Sequence, residues 1–70
     1  MNIIYNPGKD LLYIRIDEKE QEVINQRVSD EMVLDIGEGR KIVGIEILNA
    51  SKHVDLDKVL PVKFGYEKAV

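Results

Sequence analysis

The chain has no cysteine and a single histidine. The missing thiols exclude disulfides, thiolate nucleophiles, iron–sulfur clusters and zinc sites built on sulfur. One imidazole cannot build a multi-histidine metal site. No run approaches the ~18 apolar residues that a membrane-spanning helix needs. The start, Met1-Asn2-Ile3-Ile4-Tyr5, has neither a basic flank nor a long apolar stretch, so no secretory signal is expected there. The expected location is the cytoplasm. A basic cluster is missing too: the ten Lys and Arg residues are scattered, and the net charge is -3. Nucleic-acid affinity rests mainly on clustered basic residues, so nucleic acid is not an expected partner.

What remains is a chain of 70 residues, 44% hydrophobic and 33% charged, which suits one small soluble domain. Its core is marginal. At about 70 residues, apolar burial and chain entropy nearly cancel, and such domains are commonly completed by a disulfide, a metal or a partner. With disulfides excluded and no metal motif present, self-association or docking on another protein is expected.

Ile and Val supply 17 of the hydrophobic residues. Their branched side chains lose freedom in helices and pack well on sheets, so strands should dominate. Residues 2–5 form a first apolar run, and Asn6-Pro7-Gly8-Lys9-Asp10 reads as a turn. Residues 11–16 then alternate, with Leu12, Ile14 and Ile16 on one face and Leu11, Tyr13 and Arg15 on the other. An acidic turn covers 17–22. A weaker strand over 23–28 follows, then a strand over 32–36 with Met32, Leu34 and Ile36 inward and Val33 and Asp35 outward. Gly37-Glu38-Gly39-Arg40 is the strongest turn signal. The strand over 42–48 is apolar on both faces except at Gly44 and Glu46, which suits a central position. Gly44 is expected to mark a bulge or a close approach. Leu56, Val59 and Leu60 have helical spacing, Asn49, Ser51 and Asp55 are candidate caps, and Pro61 ends the element. The expected fold is α+β: one domain over 1–70, with an antiparallel β-meander of about five strands over 2–48, a helix over 50–60 and a tail over 61–70. Short loops favour pairing in sequence order.

Two stretches carry a family resemblance. Residues 5–16, YNPGKDLLYIRI, resemble an N-terminal signature of the form Y-[DN]-P-x-x-D-x-L-Y-I-x-[IL]. Residues 42–52, IVGIEILNASK, resemble its C-terminal signature, [IV]-V-G-I-E-I-L-[DN]-A-S. Both occur in this order in domain-of-unknown-function family 2283, a family of small prokaryotic proteins. The resemblance spans about residues 3 to 53. It implies a small α+β fold and supplies no activity, cofactor or catalytic residue. It also implies, in some settings, a place as the small partner in toxin–antitoxin-like gene pairs.

The polar residues inside these signatures are Asp10, Tyr13 and Glu46. They read either as a shared acid–base cluster with His53 or, more economically, as structural residues. Asp10 suits bonding to turn backbone, Tyr13 suits covering a sheet face, and Glu46 suits cross-strand pairing with Arg15 or Lys41. Ser51 and His53 are two residues apart, a spacing that does not bring side chains together on a helix. The Gly37-x-Gly39 pair precedes a strand and fits a hairpin rather than a phosphate loop. The acidic run 17–22 lacks the alternation of a calcium loop and reads as a solvated turn. Leu11, Tyr13, Val33, Ile42 and Leu48 lie opposite the main core face and, with Phe64 and Tyr66 of the tail, are the interface candidates.

The expected function is therefore a non-catalytic interaction module with no cofactor or metal. It is a homo-oligomer, with a dimer as first expectation, or the partner of a small basic protein in an antitoxin-like role, matched by the acidic run. The alternative is a small enzyme or ligand-binding protein with a site at a subunit boundary, built from Asp10, Tyr13, Glu46 and His53.

Overall fold

Alternation and turn chemistry produce two hairpins and a fifth strand. The computed structural model describes residues 1–59. The first hairpin joins β1 (Asn2–Asn6) to β2 (Leu11–Arg15), pairing Ile3 with Ile14 and Tyr5 with Leu12. The Asn6 Oδ1 accepts the Lys9 N–H at 3.1 Å inside the turn, and Asp10 closes it with a positive φ of 48°. Asp tolerates that region better than most residues. The second hairpin joins β3 (Ile24–Ser29) to β4 (Met32–Ile36), with a bulge between Arg27 and Ser29. A 3-10 turn over Glu38–Arg40 leads into β5 (Ile42–Leu48).

The α+β class, the five antiparallel strands and the short C-terminal helix agree with expectation. Pairing in sequence order does not hold throughout: the strand order is β1-β2-β5-β4-β3. The physical reason lies in β5. Apolar on both faces except at Gly44 and Glu46, it gains most by taking the centre, so β2 and β3 are parted and each hairpin flanks it. Gly44 stands opposite Arg15 on one side and Asp35 on the other, next to a register shift between Asp35 and Ile36. On the β2 side of the same strand the Val43 carbonyl accepts from both Ile16 N (2.9 Å) and Asp17 N (3.2 Å).

The continuous helix expected over 50–60 is replaced by two short pieces, a 3-10 turn over Ala50–Lys52 and α1 over Leu56–Val59. Asn49 adopts a left-handed conformation (φ 51°) and gives no side-chain cap. Asp55 is the effective cap, its Oδ1 accepting the Asp57 N–H at 3.1 Å. Leu60, the expected tail over 61–70, Phe64 and Tyr66 lie outside the described residues.

The register assigns the faces. Ile3, Tyr5, Leu12, Ile14, Ile45, Ile47, Met32, Leu34, Ile36 and Ile24 share the apolar face. Leu56 and Val59 approach Ile3, Tyr5 and Leu12, while Val54 approaches Met32 and Ile47. Among the described residues, the buried apolar side chains are Leu12, Val43 and Ala50. No described helix is long and apolar enough to cross a membrane.

Candidate functional site

The opposite face of the sheet is polar at its centre. Tyr13 and Arg15 of β2, Gly44 and Glu46 of β5, Asp35 of β4, and Asn25 and Arg27 of β3 share it by register. Asp35 is only 6% exposed. Its Oδ1 accepts the Asn25 Nδ2–H at 2.5 Å. A buried carboxylate needs such partners, since isolated burial of its charge is costly. Gly44 makes the room. A Cβ built there would lie 2.6 Å from Tyr13 Oη and 3.1 Å from Asp35 Oδ2, so only glycine lets phenol and carboxylate converge over the strand. Glu46 sits opposite Tyr13 and Val33, beside Asp35. Burial first, then the Asp35 carboxylate, push the Glu46 carboxyl above the usual range. Tyr13 is raised as well, again by burial first and Asp35 second.

Two other polar groups close the far end of the sheet. Asp10 receives the Tyr5 hydroxyl at 2.8 Å, the Ser51 N–H at 3.0 Å and the Ser51 hydroxyl at 2.6 Å, while its own carbonyl accepts the Ala50 N–H at 2.9 Å. These bonds tie the first turn to the segment after β5. They also join the two signature stretches, which meet again where Leu11 pairs with Leu48 and Tyr13 with Glu46. Glu31 forms the second clamp, accepting from the Asn49 side-chain amide and pairing with His53 Nε2 at 2.9 Å.

Asp10, Glu46 and His53 therefore do not share one constellation. Each has its own partners: Asp10 holds Ser51 and Tyr5, Glu46 faces Asp35 and Tyr13, and His53 pairs with Glu31. Tyr13 does stand opposite Glu46, with its hydroxyl over Gly44. Arg15 does not pair with Glu46; its Nε donates to the Asp17 carbonyl at 3.2 Å. Of the described interface candidates, Leu11, Tyr13, Val33 and Leu48 are half-buried and Ile42 is exposed. Sequence reasoning missed Asp35 and Asn25. The available signal was an acid inside the apolar run 32–36, but its meaning depends on the β4–β5 register. Among the described residues no group of three or more His, Asp or Glu side chains is placed to hold a metal ion. Among the described residues, no nucleophile with an adjacent base stands on this face.

No curated protein and no solved structure matches the chain. A family model does match, over residues 2–51, a span that begins with β1 and ends on Ser51 of the Asp10 clamp. The description of that model is a protein of unknown function, and the chain belongs to this family, DUF2283.

Proposed function

We propose that this protein is a non-catalytic interaction module that self-associates, with a second copy of the chain as its partner. One observation carries the reading. Among the described residues the core holds three buried apolar side chains, while nine large hydrophobic ones are exposed. Four of these, Ile16 (45%), Val23 (43%), Ile24 (72%) and Ile42 (44%), lie along the sheet end opposite the Asp10 clamp, from the end of β2 to the start of β3. Covering them removes branched side chains from water at about 25 cal/mol per Å² of apolar surface. A sheet this thin gains much from that.

Light scattering on the purified chain tests the proposal. The expected result is a dimer mass that Ile24→Lys converts to a monomer with an unchanged circular dichroism spectrum. Ile24 lies exposed on the edge strand, so the charge is tolerated in the monomer. A monomeric mass at the highest attainable concentration rejects self-association. The exposed acids Asp17, Glu18, Glu20 and Glu22 favour a second reading, docking of a small basic protein. A monomeric free chain that purifies from its own cells in stoichiometric complex with such a protein supports that antitoxin-like role. A ligand or enzyme site spanning Asp10, Tyr13, Glu46 and His53 has less support, because Asp10 and His53 are bonded elsewhere.

A further inference from the structure

The centre of the polar face gathers a buried carboxylate, a second carboxyl, a phenol and a carboxamide around one glycine. Asp35 is the buried member, at 6% exposure, and its partner Asn25 offers an amide rather than a charge. The cations on this face donate to backbone, although the Arg15 charge still reaches Tyr13, where it works against the larger effects of burial and Asp35. Arg15 donates to the Asp17 carbonyl, and Arg27 donates to the carbonyls of Asp30 (2.7 Å) and Ser29 (3.5 Å). From β1 the face receives Asn2, Ile4 and Asn6, none of which titrates. Among the described residues, neither Asp35 nor Glu46 forms an ion pair with a lysine, arginine or histidine. Two adjacent carboxylates without a cation repel each other in a setting where water screens poorly, and the cheapest relief is to keep a proton.

We propose that Asp35 and Glu46 hold one proton between them, forming a pH-sensitive latch at the centre of the sheet. The Asn25 amide donates to Asp35, and the Tyr13 hydroxyl stands beside the same carboxylate over Gly44. Glu46 carries the proton and directs it to Asp35. This bond crosses from β5 to β4 beside the bulge, where the ladder is irregular and Gly44 offers no side-chain packing. When the proton leaves, the carboxyl–carboxylate bond becomes a repulsion at the junction of the two hairpins. The sign follows: the raised Glu46 group adds stability that is complete below the ordinary carboxylate range and is lost as pH rises through its folded value.

Carbon-13 NMR of the side-chain carboxyls tests this in the full chain. The expected result is that the Glu46 signal titrates above the other glutamates and that the Asp35 signal moves with the same midpoint. Asp35→Asn should return Glu46 towards the ordinary glutamate midpoint. If Asp35→Asn does not fold, Tyr13→Phe and Glu46→Gln carry the test. Tyr13→Phe removes a donor to Asp35 and should shift the shared midpoint further up. Glu46→Gln keeps a donor to Asp35 and should flatten the loss of stability that the unaltered chain shows on going from mildly acidic to mildly alkaline pH. Independent titration of the two carboxyls at ordinary acid values overturns the proposal. So does a Glu46→Gln variant whose stability falls with pH as steeply as that of the unaltered chain.

Discussion

Asp10 accepts three hydrogen bonds, one from the Tyr5 hydroxyl and two from Ser51, and all favour its ionised form. The Ser51 hydroxyl contributes most to holding its carboxyl below the ordinary range, followed by Tyr5. Glu31 is lowered likewise, by Asn49 first and His53 second. For a lowered acid, the stabilisation is present above the ordinary carboxylate range and disappears as pH falls through the lowered value. Asp10→Asn should therefore melt earlier than the unaltered chain at neutral pH and lose less on acidification. Melting curves from neutral to strongly acidic pH check this, and an acid loss as steep as before would clear Asp10 of the effect. Ser51→Ala should reproduce much of the change. The structural role of Asp10 was legible in the sequence as a turn residue, but its partner was not. Ser51 lies 41 positions away, and only the β2–β5 pairing brings the two together. Asp35, expected to face outward, is instead buried beside Asn25, and for the same reason: a single strand does not reveal what stands opposite.

The strands were nearly all readable from alternation, because a two-residue period survives any tertiary context that buries one face. The helix was not. Leu56 and Val59 do occupy one short helix, yet the Ala50–Lys52 turn is held by Asp10 and by the left-handed Asn49, neither of which leaves a periodic trace. The turn before β5 was readable through its glycines, and they differ in what they supply. Gly39 has a φ of 67° and open space around it, so its requirement is conformational. Gly37 has an ordinary negative φ, but a Cβ there would lie 2.7 Å from Val43 Cγ1. Gly39→Ala should accordingly cost about 1 kcal/mol, the penalty of placing a side chain in the left-handed region. Urea unfolding measures it, and an unchanged midpoint would mean the turn relaxes to another conformation.

For the molecule as a whole, stability should be concentrated in a few positions. Leu12, at 2% exposure, stands at the meeting of β1, β2 and β5, beneath Leu56 and Val59. Leu12→Ala is expected to lose roughly 2–4 kcal/mol through the cavity it leaves. Ile24→Ala should lose less than ~0.5 kcal/mol in dilute solution, as exposed substitutions do. If a second copy covers Ile24, that loss grows with protein concentration, because association stabilises only the folded form. Urea midpoints at a low and a high concentration distinguish the cases; an Ile24→Ala cost independent of concentration counts against a shared surface there. The central place of β5 also has a bearing on the order of assembly during synthesis. Each hairpin closes locally, but the two become one sheet only when β5, the last of the described strands, slides between them. Until then a ribosome carries two short ribbons with bare inner edges. A nascent chain halted before Ile42 is a candidate for chaperones and for aggregation, and one released after Leu48 has the strand that joins them.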